Sequence, residues 1–197
     1  MTKAPLTEKD YSNAATRLGV PVASVKAVAT VESNGGGFLP DGRVKVQYEP
    51  HVMYQRLLEH YDKARADKEL AAHPDLVATK AGSYQSSDKE DKDMDRAANL
   101  IDRTCALEAA SWGAFQIMGY HWKTTGYPSL QAFINEQYSA AGQLETFVRF
   151  ILADSRLARA LRAKDWKTFA FVYNGKNYAA NKYDAKLAAA YKQFGGV

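Results

Sequence analysis

Only one short run, Val44-Lys45-Val46-Gln47-Tyr48, alternates apolar and polar residues with the two-residue period of a half-buried strand. Asp41-Gly42, just before it, is a hairpin-turn dipeptide. Residues 38–48 are therefore predicted to form one small β-hairpin. Nearly everywhere else the apolar residues recur at helical spacing, so the chain has no material for a large sheet. The predicted class is mainly α (α+β in detail): a helical bundle lobe with one small hairpin beside it.

The helix boundaries follow from local signals. Thr7-Glu8-Lys9-Asp10 reads as a helix start, with Thr7 as N-cap and Asp10 three residues on, and Gly19 ends that helix after Leu18. Pro21 opens a second helix, which carries Val25, Val28, Ala29 and Glu32 on adjacent turns until Gly35-Gly36-Gly37 stops it. Pro50 introduces a third, with Val52, Met53, Leu57 and Leu58 at helical spacing. Residues 61–92 are polar, with Pro74, Gly82 and Ser86-Ser87-Asp88, and read as a surface excursion with at most short helices. Asp93 is expected to cap a helix through Ala110. A long amphipathic helix is expected over 140–163, with shorter ones over 166–173 and 184–194. No repeat of fixed period and no low-complexity tract divides the chain, so 1–197 is expected to be one domain.

Composition narrows the function classes. With 197 residues, 46% hydrophobic and 24% charged, the chain can bury a sizeable core without disulfides or metal. Cys105 is the only cysteine, and His51, His60, His73 and His121 are scattered without ligand spacing, so no metal and no cofactor are expected. The single thiol suits a reducing cytosol. The first ten residues, MTKAPLTEKD, lack the apolar stretch of a secretory signal, and no window approaches the roughly 18 apolar residues of a membrane span. A soluble monomer without an export signal of its own is expected. The net charge of +4 suits an anionic partner, or is ordinary solubility charge. No Lys/Arg run is long enough for a nucleic-acid tail, so nucleic acid is not an expected partner.

Three constellations can carry chemistry. Glu32 ends an otherwise apolar helix, where desolvation raises a carboxyl's pKa and keeps a proton available for donation; the alternative is a helix-end glutamate in water. Ser111-Trp112-Gly113-Ala114-Phe115-Gln116-Ile117-Met118-Gly119 combines glycines, aromatic rings and an amide at a predicted helix–loop junction. Sugars need flat apolar faces and fixed polar groups of this kind, although a packed core turn would use the same residues. Tyr173-Asn174-Gly175, followed by Asn177, Tyr178, Asn181 and Tyr183, alternates rings with amides. It can line a polysaccharide groove or serve as a helix C-cap with Gly175 left-handed.

Glu32-Ser33 after an apolar helix, then Gly113-Ala114-Phe115-Gln116, resembles the signatures of goose-type lysozymes and lytic transglycosylases. Four segments in order resemble the N-acetylmuramidase family of bacteriophage endolysins more closely: residues 27–33 (AVATVES), 48–51 (YEPH), 110–119 (ASWGAFQIMG) and 173–175 (YNG). The resemblance implies a lysozyme-like fold, with Glu32 as the catalytic acid between a helical lobe and the hairpin. It implies peptidoglycan glycan strands as substrate. Ser33, Ser111, Trp112, Gly113, Phe115 and Gln116 are the expected contacts near the cleavage point, with Tyr173 and Asn174 bordering the same cleft. All 197 residues are then needed for the catalytic unit, leaving no separate peptidoglycan-binding module.

An inverting hydrolase needs a second carboxylate roughly 6.5–9.5 Å from the acid. Asp41 and Glu49, on or beside the hairpin, are the candidates. Asp41 could serve only the turn, and Glu49, the preferred one, could instead partner a backbone amide or His51. Glu108, on a helix rich in Asp and Arg, reads as an ordinary solvated residue. Without a second carboxylate, the substrate's own N-acetyl group could attack, giving the 1,6-anhydro product of a lytic transglycosylase. A non-catalytic wall-binding virion protein is the reading from another class. The basic surface, with Lys182, Lys186 and Lys192 near the C-terminus, suits adsorption to anionic cell wall or outer-membrane lipid. The implied setting is accumulation in the host cytoplasm until another lysis protein opens the way to the wall.

Overall fold

In the computed structural model, residues 4–33, 36–82, 87–175, 179 and 181–197 are described, with residues 87 and 88 as backbone only. Eleven α-helices, one short 3-10 helix (Gly119–Trp122) and one three-stranded sheet are found among these residues. Helix α1 (Glu8–Leu18) starts at the expected capping box, in which Thr7 and Asp10 satisfy each other's backbone N–H groups, and ends at the left-handed Gly19. Helix α2 (Val22–Glu32) follows Pro21 and packs Val25, Val28 and Ala29 into the core. Helix α3 (Pro50–His60) has its proline in the first turn, where the missing N–H costs nothing, and buries Val52, Met53 and Leu57. Leu58, expected beside them, is exposed.

The sheet departs from the expected hairpin. Within 38–48 the chain does fold back, but only through a bridge between Phe38 and Val44. Strand β1 (Val46–Tyr48) pairs instead with β2 (Ala110–Trp112), which pairs with β3 (Ile117–Met118), both antiparallel. The stretch expected at a helix–loop junction thus supplies two strands. Val46, Trp112 and Ile117 share the core face, and Gln47, Ser111 and Met118 share the other. The edge strand's Tyr48 N–H is satisfied by the buried Glu90 carboxylate at 3.1 Å.

Residues 61–92 are more than a surface excursion. Asp62 caps α4 (Lys63–Ala72), and Leu76 and Val77 fold back into the core as Ala78 N–H donates to the Pro50 carbonyl. Ser86, part of the polar cluster there, lies outside the described residues. The next expected helix is two: α5 (Ser87–Leu100) and α6 (Arg103–Glu108), separated because the Asp102 carboxylate caps the second. A short α7 (Leu130–Glu136) follows. The long helix expected over 140–163 is broken in the same way, into α8 (Ala140–Ala153) and α9 (Ser155–Ala163), with Asp154 in extended backbone capping α9. Helices α10 (Trp166–Asn174) and α11 (Tyr183–Gln193) match the expected pair within a residue. The core is continuous across these elements, with Phe133, Phe147 and Phe169 fully buried, each contributing roughly 2–3 kcal/mol by area. Cys105 lies in this core as a free thiol, its pKa raised chiefly by burial.

Candidate active site

Glu32 is the last residue of α2, at the end of the helix where the dipole disfavours a negative charge. The buried apolar face of α2 holds it at the rim of a cavity of about 360 Å³, against the C-terminus of α10. Burial is the main cause that raises its pKa from 4.5 to about 7. Two opposing influences are smaller: Asn174 Nδ2 donates to Glu32 Oε1 at 3.2 Å, and the Lys186 charge lies nearby. A neutral acid has one carbonyl oxygen and one hydroxyl. With Oε1 occupied as an acceptor, the proton belongs on Oε2.

The cavity is walled by rings. Tyr173 donates its hydroxyl to the Phe115 carbonyl at 3.0 Å, stacks on Phe169, and meets Phe147 and Phe150 edge-on. Its phenol pKa lies well above 10, because of burial first and then the Glu32 charge, so it stays neutral. His121 packs edge-on against Phe150, and burial pulls its pKa down to about 4, so it too is uncharged near neutral pH. Ile117, Met118 and Tyr183 complete the wall. Apolar faces with a few fixed donors suit a sugar, whose two ring faces carry C–H bonds and whose edge carries hydroxyls.

Of the site residues expected from sequence, Glu32, Phe115, Gln116, Tyr173 and Asn174 line this one cavity. Ser111 stands behind it, donating its hydroxyl to Gln116 Oε1 at 2.9 Å, while Gln116 Nε2 donates to the Gly113 carbonyl at 2.8 Å. Those two bonds hold Gln116 in the left-handed region, at a φ of 49°. Gly113, at a φ of 69°, supports the same turn. Ser33 caps the C-terminus of α2 through its backbone and does not line the cavity. Trp112 is not brought to the cavity either. It lies on the core face of β2, 3% exposed, and donates its indole N–H to the Leu107 carbonyl.

The two candidate second carboxylates lie apart from Glu32's cavity. Asp41 accepts from the Arg43 backbone N–H at 3.0 Å and from Arg43 Nε at 2.8 Å, which fits the turn role. Glu49 is mostly buried at the β1–α3 junction, where its Oε1 accepts from Gln47 Nε2 at 3.1 Å and its Oε2 lies 3.3 Å from His51 Nδ1. Gln47 faces Ser111 across the ladder, so a polar row runs from Gln116 through Ser111 and Gln47 to Glu49.

Glu108 is the clearest correction among the acids. It is 3% exposed, not solvated, and its carboxylate serves Trp122 and His60. His121 and Phe150 were not expected at the site: Phe150 falls in a helical apolar pattern that reads as core, and His121 drew notice only for lacking metal spacing. Asn177 and Tyr178 lie outside the described residues. Among the described residues no group of His, Cys, Asp and Glu is placed to hold a metal.

The model of a protein family described as N-acetylmuramidase matches residues 21–195. Among solved structures, the crystal structure of Burkholderia AP3 phage endolysin is similar at 49% sequence identity and a TM-score of 0.88. The match covers 96% of this chain and 70% of that one. No curated protein matches.

Proposed function

The chain belongs to the N-acetylmuramidase family, and on that premise we propose that it is a phage endolysin, a glycoside hydrolase that degrades bacterial peptidoglycan. In this reading Glu32 is the general acid for the β-1,4 bond from N-acetylmuramic acid to N-acetylglucosamine. The observation that carries it is the Glu32 carboxyl, held neutral up to about pH 7 beside an amide donor in a ring-walled cavity. Oε2 hands its proton to the bridging oxygen, so that the N-acetylglucosamine side leaves as an alcohol while C1 of the muramic acid gains oxocarbenium character. Asn174 then stabilises the carboxylate that remains. Phe115, Gln116 and Tyr173 hold the sugar beside it.

For the water-activating role we favour Glu49 over Asp41, because the Asp41 carboxylate is engaged by its own turn. Neither lines the cavity with Glu32, which supports a second reading in which the substrate's N-acetyl group attacks. Mass spectrometry of muropeptides released from purified peptidoglycan separates the two. Hydrolysed muramic ends are the expected result. Anhydromuramic ends, lighter by one water, would replace hydrolysis with transglycosylation, and no released glycan would overturn the enzyme reading.

We take residues 1–197 as one catalytic unit acting as a monomer. Among the described residues no helix is long and apolar enough to cross a membrane, and we place the protein in the host cytoplasm until another lysis protein releases it to the wall. The remaining partner is an anionic surface of wall or outer-membrane lipid. Lys182, Lys186 and Lys192 are poor candidates for a shared stripe. Lys182 precedes α11, Lys186 lies over the Tyr183 ring on the Glu32 side, and Lys192 is six residues, about 240° of helix rotation, further on. Residues 154–168 are a better one, carrying Arg156, Arg159, Arg162, Lys164 and Lys167 against Asp154 and Asp165. Activity on whole walls is expected to fall severalfold as salt shortens the Debye length from about 30 Å to about 8 Å. A flat salt profile would remove this surface from the account.

A further inference from the structure

We propose that Gln143 is a positioning residue for the reaction: its buried amide joins Gly37, five positions after Glu32, to the turn that carries Phe115 and Gln116. The inference rests on the hydrolase reading of that site.

Gln143 sits in the first turn of α8 and is 2% exposed. Its Oε1 accepts the Ala114 backbone N–H at 2.8 Å, and its Nε2 donates to the Gln137 carbonyl at 2.8 Å and to the Gly37 carbonyl at 3.3 Å. Both amide protons are thereby used, and three chain segments far apart in sequence meet at one side chain. The Gly37 carbonyl also accepts the Lys45 N–H, and the Lys45 carbonyl accepts the Gly113 N–H, each at 2.9 Å. Gly37, Lys45, the Gly113–Ala114 peptide and Gln143 therefore form a closed ring of hydrogen bonds.

The two glycines in that ring are there for the amide. A Cβ on Gly37 would stand 1.8 Å from Gln143 Oε1, and one on Gly113 would stand 2.6 Å from its Cδ. The backbone at Gly37 and at Gly113 is pressed onto one planar group, which leaves little freedom for either of those two residues to shift alone.

What the lock holds is the cavity itself. Gly36, beside Gly37, donates its N–H to the Ser33 carbonyl at 2.8 Å, which ties Gly37 to the end of the helix that carries Glu32. Ala114 precedes Phe115, whose ring stacks on Phe147 at 4.2 Å and whose carbonyl receives the Tyr173 hydroxyl. Gln143, Phe147 and Phe150 project from α8 toward the site, so one helix supplies the lock, the ring beneath Phe115 and part of the cavity wall. A proton donor and a sugar-binding wall must keep their separation to within about 0.5 Å, and Gln143 connects the segments that set it.

Gln143→Met keeps the length and volume of the side chain and removes every one of its bonds. Thr146→Val, on the same helix, is the control. It removes a buried hydroxyl that bonds Tyr127, Gln137 and the Gly142 carbonyl and touches neither loop. Both variants and the parent are assayed on soluble glycan fragments, at a temperature where circular dichroism shows each fully folded. Gln143→Met is expected to lower kcat by 10- to 100-fold with less than a threefold change in KM, and to move the upper limb of the kcat–pH profile; Thr146→Val is expected to stay within twofold. If Gln143→Met does not fold, Gln143→Glu carries the same expectation, since it keeps the acceptor for Ala114 and loses the donor to Gly37. A folded Gln143 variant within twofold of the parent overturns the proposal, as does an equal loss of kcat in Thr146→Val. An inactive parent overturns the hydrolase reading and this one with it.

Discussion

Glu32→Gln is expected to lower glycan cleavage by about 10²- to 10⁴-fold while adsorption to the wall persists. The substitution keeps the side-chain shape and an oxygen able to accept from Asn174 Nδ2, and it removes only the transferable proton. In the parent, activity should fall as pH rises through about 7, the pKa to which burial lifts this acid. Neither His121 nor Tyr173 supplies that limb, because burial holds the first far below neutrality and the second far above it. The same shift makes the variant a gain in stability. Below about pH 4.5 the carboxyl is neutral in both folded and unfolded chains, and the parent suffers no penalty. Between about 4.5 and 7 the unfolded chain ionises while the folded one holds its proton, so stability is lost over that window. The full shift corresponds to about 3 kcal/mol, reduced by the residual solvent contact of the group. Glu32→Gln should therefore match the parent at pH 4 and exceed it by roughly 1–3 kcal/mol at pH 8, read by urea denaturation. Undiminished cleavage by the variant would remove Glu32 from the role of acid.

The helix starts could be read because their causes are local. Thr7 with Asp10, Pro21 and Pro50 act within one turn of themselves, and the helices begin where those residues stand. The helix breaks at Asp102 and Asp154 are just as local, yet both residues lie inside apolar periodicity that runs on past them, and period outweighed cap. The sheet was harder for a different reason. Tyr48 finds its partner at Ala110, 62 positions away, and nothing near either residue specifies the pairing. At the site, Glu32, Gln116 and Tyr173-Asn174 were legible because unusual residues sit at element ends, where side chains reach cavities. Phe150 and His121 reach the same cavity from a helix and a turn whose patterns say only that they are apolar or isolated. Glu108 misled for the converse reason: the expected helix carries Asp95, Arg96, Asp102 and Arg103, which outweighed the apolar Leu107 and Ala109 beside it, and its partners His60 and Trp122 are distant.

Those partners make Glu108→Ala the substitution expected to cost most stability. One carboxylate oxygen accepts the Trp122 indole N–H at 2.9 Å, the other lies 2.7 Å from His60 Nε2, and Arg56 Nη1 is 3.7 Å away. The Arg56 side chain is itself 13% exposed and lies over the Tyr120 ring. Truncation leaves the indole N–H without its acceptor and takes from Arg56 its buried carboxylate; among the described residues Arg56 then keeps Glu59, which is largely in solvent, and the Tyr120 ring, so a buried charge is less well compensated and a buried donor is unpaired. Breaking a buried pair from one side in this way costs about 3–5 kcal/mol. For a chain of this size that is a fall in Tm of roughly 6–20 °C. Removing both members is a different matter, because the desolvation cost of the pair disappears with its attraction. Arg56→Met combined with Glu108→Leu is therefore expected to recover at least half of the loss seen in Glu108→Ala, with the unpaired indole accounting for the remainder. A Glu108→Ala chain that unfolds within about 1 kcal/mol of the parent would mean that this cluster is open to water and not part of the core.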